Sequence, residues 1–148
     1  MTHDSSGDAA RSVNPSPWSR DLGHDQAHRR DHPVAVLAIG GQRPVDATGR
    51  LLHAGDAAAQ VALTLDNVSA VLEAAGFGPG DVVHLRIHAT SRAALLDAQY
   101  VVREHLAEHR LGTPVTTIQV GGLALVGMEV EIDGLAVRTQ PPPGGTTP

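Results

Sequence analysis

The sequence predicts an α+β fold in which two helices cover one face of a single β-sheet. In two segments, apolar residues recur at helical spacing, and four other segments have the apolar runs or the alternation typical of strands. The segments follow the order strand, helix, strand, helix, strand, strand. In this order each helix can return across the same face of the sheet, so we expect one layer of helices on one sheet.

The first strand and the first helix have clear boundaries. Residues 34–39 form an apolar run rich in valine and isoleucine, with proline before it and two glycines after it, which predicts a buried strand. Asp56 can cap a helix that ends at Gly76. The residues expected to face the core from this helix are Val61, Leu65, Val68 and Leu72.

The following segments repeat this alternation of strand and helix. Residues 81–89 alternate between apolar and polar side chains and predict a half-buried strand. One face is expected to carry Val83, Leu85 and Ile87, and the other His84, Arg86 and His88. Ser91 can cap a second helix. Its shared face is expected to contain Leu95, Gln99, Val102 and Leu106, and the last two strands are expected at residues 115–120 and 128–137.

Both ends of the sequence are expected to lie outside the folded domain. Residues 1–17 are polar and rich in small side chains, and residues 139–148 contain three consecutive prolines followed by two glycines. Neither composition favours a regular backbone ladder. We therefore expect a disordered N-terminal tail at 1–17, one domain at 18–138 and a Pro/Gly-rich tail at 139–148.

The composition excludes several classes of chemistry. The chain has no cysteine, which excludes a disulfide framework, a thiolate nucleophile and a cysteine-ligated metal. A net charge of -5, with one tryptophan, one tyrosine and one phenylalanine, argues against nucleic acid as a partner. The sequence contains neither a signal-peptide core nor an apolar run of the roughly 20 residues that a membrane span requires. We expect a cytoplasmic protein with no cofactor, no metal and no membrane partner.

The sheet face that carries no helix is expected to be covered by other copies of the chain. We place Val115, Thr117 and Arg86 on this face. Self-association would bury the face and create clefts between subunits, where polar groups from two chains can converge on a small molecule.

Several segments of the chain resemble the Rid (YjgF-like) family. Residues 39–46, Ile-Gly-Gly-Gln-Arg-Pro-Val-Asp, resemble the family's S-G-Q-x-P-x-(D/N) segment, and residues 131–137, Glu-Ile-Asp-Gly-Leu-Ala-Val, resemble its closing strand. The resemblance extends from about Trp18 to Arg138. Further matches are Gly49 in a turn, Ala59-Gln60, Leu65, Asn67, Val71-Leu72 and Ala74-Ala75-Gly76 in the first helix, and Asp81-Val82-Val83 at the next strand.

The resemblance implies a chorismate-mutase-like fold with one mixed sheet, a homotrimer and three clefts between subunits. It also implies hydrolysis of reactive imines and enamines, such as 2-aminoacrylate, to a keto acid and ammonia. In active members an arginine in the segment P-x-R-(T/S)-x-V-x-V binds the substrate carboxylate, and the first glutamate of the last strand positions the attacking water. Here Glu131 matches the glutamate, Gly41 matches the loop that lines the cleft, and Val115 stands where the arginine is expected.

Replacement of this arginine by Val115 removes a charge-assisted anchor, at a cost of a few kcal/mol in binding. Ordinary 2-aminoacrylate hydrolysis is therefore not expected. Arg86 is either a replacement cation or a member of a surface salt bridge, and Glu131 is either catalytic or only a solvated strand residue. Trp18 either contacts the cleft, as an N-terminal aromatic does in the family, or covers the edge of the core. We expect the substrate to be bound by Gly41, Val115, Thr117, Arg86 and Trp18, with Glu131 as the catalytic residue.

The nine histidines suggest a metal site, but their context does not. His105 and His109 lie in a pattern H-x-x-E-H that some zinc peptidases share. This segment lies at the polar end of a short helix and lacks a third ligand, so we expect no zinc there. His84 and His88 are expected either in the cleft or in the trimer interface.

The leading functional hypothesis is a divergent Rid-type enzyme that acts on a reactive imine, an enamine or a related small molecule, in specialised (secondary) metabolism. Its substrate would lack the usual free carboxylate. The alternative is a non-catalytic trimeric protein that binds or senses a small molecule on the same scaffold. A third hypothesis is a housekeeping deaminase of neutral or bulky imines in which Arg86 is the new anchor.

Overall fold

A computed structural model describes residues 11–140 of the chain. Two helices and four strands form the main body, and two further short strands form a separate pair near the N-terminus. The strands are β1 (Arg11–Val13), β2 (Ala27–Arg29), β3 (Pro33–Gln42), β4 (Val82–Ala89), β5 (Val115–Gln119) and β6 (Val130–Thr139), and the helices are α1 (Ala57–Ala74) and α2 (Arg92–Glu108).

The main sheet is mixed and has the strand order β3-β6-β4-β5. Strand β6 is antiparallel to both of its neighbours, whereas β4 and β5 are parallel and are connected through α2. Both helices pack on the same face of this sheet and on each other. The expected α+β fold, with one mixed sheet and two helices on one face, is confirmed.

Both helices begin at the predicted caps. The Asp56 carboxylate accepts a hydrogen bond from the backbone of Ala59 at 3.0 Å, and the Ser91 hydroxyl accepts one from Ala94 at 3.0 Å. The predicted apolar stripe of α1 is fully buried. The stripe of α2 differs, because its buried residues are Ala94, Ala98, Val102 and Leu106, and Gln99 is exposed. Two alanines let this helix lie close to the sheet, which turns Gln99 towards the outer edge of β5.

The alternation of β4 is confirmed except at its start. Leu85 and Ile87 are buried, and the polar residues of the strand lie on the opposite face. Val82 is buried instead of Val83, because the pairing of β4 with β6 shifts by one residue between Val82 and His84. A shift of one residue in the pairing turns the side chains before it to the opposite face of the sheet.

The expectation that Val115 and Thr117 face away from the helices is wrong. In the parallel ladder Val115 is paired with Leu85, and Thr117 is paired with Ile87. Paired residues of neighbouring strands point to the same side of a sheet, so both residues lie on the helix-covered side, beside α2. The open face of β5 instead carries Thr116 and Ile118.

The open face of the sheet exposes several large apolar side chains. Val34 is 56% exposed and Val36 is 62% exposed, although both belong to the apolar run of residues 34–39 that predicted a buried strand. Leu135 on β6 and Ile118 on β5 are each 38% exposed. Exposed valines at alternate positions of a strand leave an apolar surface without a covering layer.

The segment before β3 is folded onto the domain, although residues 1–17 were expected to form a tail. Strand β1 pairs with β2, and the Asp25 carboxylate accepts hydrogen bonds from the side chains of Ser12 and Asn14, both at 2.7 Å. Burial alone would raise the pKa of Asp25, but these bonds and one from His28 lower it below its ordinary value.

Residues 1–10 and 141–148 of the two expected tails lie outside the described residues. No helix within 11–140 is long and apolar enough to cross a membrane.

Candidate functional site

The predicted site residues form two groups on opposite sides of the sheet. Glu131, Gly41 and Arg86 are associated with the open face, whereas Val115, Thr117 and Trp18 line a pocket beside α2. A single copy of the chain therefore does not bring the expected catalytic residue and the expected substrate-binding residues together.

Glu131 is held between Gly41, near the end of β3, and Arg43, which directly follows this strand. Its carboxylate oxygen Oε2 lies 3.8 Å from Nε of Arg43, and 23% of its side chain is exposed. Its carboxylate also lies directly against Gly41, where an added Cβ would overlap it. An added Cβ at Gly40 would meet no atom within 4 Å. Gly41 thus provides the space that Glu131 occupies, and Arg43 provides a positive charge beside it.

Asn67 on α1 holds the turn that carries Arg43. Its side-chain amide donates hydrogen bonds to the backbone oxygen of Arg43 at 2.7 Å and to that of Val45 at 3.1 Å. These two bonds replace backbone partners that an irregular turn lacks. The helix therefore positions the guanidinium next to Glu131 through the backbone of the turn.

Arg86 is paired with a carboxylate on the open face. Its Nε donates a hydrogen bond to Oδ1 of Asp133 at 2.9 Å, and Nδ1 of His88 lies 3.7 Å from the other oxygen of the same carboxylate. His88 is also the cross-strand partner of Glu131. The open face thus carries a row of polar and charged side chains across β6 and β4, and Arg86 does not line the pocket beside Val115.

His84 lies at the end of this row. A hydrogen bond of 2.8 Å joins its Nε2 to the hydroxyl of Thr116. Burial lowers the pKa of His84 below the ordinary value, the charge of Arg86 lowers it further, and Asp133 opposes the shift. A neutral His84 at physiological pH leaves Arg86 as the cation of this part of the face.

The second group surrounds a pocket of about 420 Å³ between β5, α2 and a short 3-10 helix, Pro17–Leu22. Trp18 is 63% exposed and Tyr100 is 66% exposed, and both line this pocket. The side-chain amide of Gln99 donates a hydrogen bond to the hydroxyl of Thr117 at 3.1 Å. The other lining residues are Asp21, Leu22, His24, Arg103, Val115 and Thr116.

Arg103 is a cation in this pocket that the sequence analysis did not single out. Its aliphatic stem passes close to the backbone of Gly23, where an added Cβ would lie 2.9 Å from Cγ of Arg103. Within residues 11–140, no carboxylate lies at ion-pair distance from its guanidinium.

The sequence analysis also did not single out Arg43 and Asn67 as site residues. Asn67 could have been found, because it matches the family's helix motif. The roles of Arg43 and Arg103 depend on contacts between distant segments, for which the sequence contains no local signal.

The described part of the chain contains no cluster of three or more His, Asp or Glu side chains arranged to hold a metal ion. The rings of His105 and His109 lie 4.5 Å apart, and burial, followed by the nearby His109, lowers the pKa of His105. The geometry is that of two histidine rings in contact, tilted by 39° to each other, at a helix end.

The profile of a family described as endoribonuclease L-PSP matches residues 30–138. A protein of unknown function from Yersinia pestis, YyfB of the conserved Rid protein family, is 30% identical in a crystal structure. The match covers 87% of this chain and 98% of that one, with a TM-score of 0.77. The chain belongs to the Rid family.

Two other solved structures of the Rid fold are similar over nearly the same region. TdcF from E. coli, crystallised with bound serine, is 26% identical with a TM-score of 0.65, covering 88% of this chain and 94% of TdcF. The YjgF gene product of E. coli is 26% identical with a TM-score of 0.63 and the same coverage. No curated protein matches the chain. Residues 30–138, which the family profile matches, contain both helices and nearly all of the main sheet of this Rid protein.

Proposed function

We propose that this Rid protein hydrolyses a reactive imine or enamine in clefts between the subunits of a homotrimer. The observation that carries the proposal is the position of Glu131, which is held by Gly41 on one side and by Arg43 at 3.8 Å on the other. A partly exposed carboxylate beside a cation can orient a water molecule and accept its proton.

The reaction requires one water and releases one ammonia. An enamine first gains a proton on carbon and loses one from nitrogen, which gives the imine. The water oxygen then attacks the imine carbon while Glu131 accepts one water proton and returns it to nitrogen, which gives a carbinolamine. The remaining hydroxyl proton passes through Glu131 to nitrogen as the C–N bond breaks, so both water protons leave with the ammonia. The products are a carbonyl compound and ammonia, and no cofactor is consumed.

The homotrimer is supported by two features of the sheet. Its open face exposes Val34 and Val36, which a neighbouring copy would cover. In addition, Glu131 and the pocket beside Val115 lie on different sides of the same sheet. Copies related by rotation can place Glu131 of one subunit against the pocket of the next, and this arrangement would complete the site.

The substrate is proposed to lack a carboxylate on the reacting carbon. By the family motif, Val115 occupies the position of the arginine that binds this carboxylate, and a valine offers neither charge nor donor.

An RNA substrate, which the description of the family would suggest, is disfavoured because the chain has a net charge of -5. A role in specialised metabolism fits a pocket of about 420 Å³, which has room for a molecule larger than 2-aminoacrylate.

The test is a coupled assay of imine hydrolysis. An amine oxidase and an amino-acid oxidase would generate imines without and with the neighbouring carboxylate, and ammonia release would be followed above the spontaneous rate. We expect wild-type protein to accelerate hydrolysis of the imines without the carboxylate and Glu131→Gln to lose the acceleration. The control is Asp97→Asn, an exposed carboxylate of α2. A protein that binds substrate analogues but accelerates neither series would be a binding protein instead.

A further inference from the structure

We propose that Arg103 binds an acidic group at the end of the substrate that is remote from the imine carbon. Trp18 and Tyr100 cover a flat hydrophobic body that lies between this acidic group and the imine carbon. This inference rests on the proposed function, because it assigns the substrate class of the same pocket. The substrate class is an aromatic or similarly flat acid.

The first argument is the charge of the pocket. Val115 leaves the β5 wall without a cation, whereas Arg103 reaches the same pocket from α2. The other titratable residues that line it are Asp21, His24 and Tyr100. Asp21 does not approach Arg103 closely enough to form an ion pair within the described residues. The guanidinium therefore remains free to form two parallel hydrogen bonds with a carboxylate.

The second argument is the way in which the side chain of Arg103 is held. Gly23 has a positive φ of 75° and ends the short helix that carries Trp18. Any other residue at this position would place a Cβ 2.9 Å from Cγ of Arg103. Gly23 thus allows the arginine stem to lie along the backbone, and this packing restricts the positions that the guanidinium can reach.

The polar groups near Arg103 are also held in place. Gln99 lies one helical turn before Arg103 and donates a hydrogen bond to the hydroxyl of Thr117. Nδ1 of His24 donates to the backbone oxygen of Asp25 at 2.9 Å, because a carbonyl oxygen can only accept. Gln99 and His24 therefore each already have a hydrogen-bond partner within the protein.

The third argument is the exposure of the aromatic side chains. The chain has three aromatic residues, and two of them, Trp18 and Tyr100, line this pocket with more than half of their surfaces exposed. Aromatic faces favour contact with flat apolar groups. The combination of two such faces with one unpaired arginine suits an acid with a flat hydrophobic body.

The test compares the binding of an acid with that of its neutral isostere. Trp18 is the only tryptophan of the chain, so its fluorescence reports binding in this pocket. The probes are 3-phenylpropionate and 3-phenylpropanamide, titrated into full-length wild type, Arg103→Gln, Arg103→Lys and the matched control Arg92→Gln. Arg92 is an exposed arginine at the start of α2 and does not line the pocket.

We expect wild type and Arg92→Gln to bind the acid about 10-fold or more tightly than the amide, which is the usual gain from a charged hydrogen bond. Arg103→Gln should lose this preference while its affinity for the amide stays unchanged, and Arg103→Lys should retain part of it. Equal affinities for acid and amide in wild type, no binding of the acid, or a preference that persists in Arg103→Gln would overturn the inference.

The titration tests the acid-binding role of Arg103 separately from the proposed imine hydrolysis. The titration measures binding without turnover and can be repeated in Glu131→Gln, where the preference for the acid should persist. Imine hydrolysis that depends on Glu131 but is indifferent to Arg103 would leave the proposed function standing and refute the acid-binding role. A preference for the acid that depends on Arg103, in a protein that hydrolyses no imine, would support the acid-binding role and refute the proposed function.

Discussion

Nε of Arg43 lies 3.8 Å from Oε2 of Glu131, across the boundary between the end of β3 and the start of β6. The two residues are 88 positions apart in the sequence, and Asn67 on α1 holds the backbone of Arg43 through one of the shortest bonds of the turn, at 2.7 Å. The carboxylate proposed to activate water therefore depends on a loop that a helix positions.

Gly41→Ala should inactivate the protein, whereas Gly40→Ala should not. The new Cβ at position 41 would overlap the Glu131 carboxylate and displace it, but at position 40 it would meet no atom within 4 Å. A displacement of about 1 Å can cost about 100-fold in rate. Imine hydrolysis and thermal unfolding of both variants would be measured, and comparable activity in the two would contradict the proposed role of Gly41.

Arg43→Ala should lower imine hydrolysis about 10- to 100-fold and change stability by less than about 1 kcal/mol, because both partners of the ion pair are partly exposed. Arg43→Lys should recover part of the rate. The matched control is Arg50→Ala, which removes another exposed ion pair, that with Asp46 at 3.4 Å. Equal losses of rate in Arg43→Ala and Arg50→Ala would show that proximity to Glu131 is unimportant.

Val36→Lys should prevent trimer formation. Val36 lies on the open face in edge strand β3, and a charge there would be buried at considerable cost if a second copy covered this face. Val126→Lys is the control, since Val126 is fully exposed in the loop before β6. Light scattering should report a trimer for wild type and Val126→Lys and a smaller species for Val36→Lys. A monomeric wild-type protein would remove the support for a site between subunits.

Asp25→Asn should destabilise the N-terminal segment at neutral pH. The pKa of Asp25 is lowered in the folded protein from an ordinary value of 3.8, so its contribution is present above that pH and is lost as the pH falls through the lower folded value. We expect a loss of about 1 kcal/mol, at the low end for a charged hydrogen bond because the carboxylate is partly exposed. In thermal unfolding experiments the difference from wild type should be complete above about pH 4 and should shrink as the pH falls below that value. The control is Asp97→Asn, which changes an exposed carboxylate of α2.

Much of the fold could be predicted because its signals are local. Asp56 and Ser91 cap the helices as expected, since a cap bonds within its own first turn. The stripe from Val61 to Leu72 is buried because its spacing matches the helical repeat. By contrast, Val82 is buried where Val83 was expected, because the pairing of β4 with β6 contains a bulge. A short alternating segment contains no signal for such a bulge.

The sequence by itself determined the four strands and two helices of the main body, their order and the family positions of Glu131, Gly41 and Val115. Only the tertiary structure decided that Val115 and Thr117 point towards α2, because the facing of an edge strand depends on its register with β4. The tertiary structure also brought Arg43 to Glu131 and Arg103 to the pocket beside Val115. Periodicity and capping act over a few residues, whereas a site between distant segments is set by strand pairing and helix packing, which the local pattern does not encode.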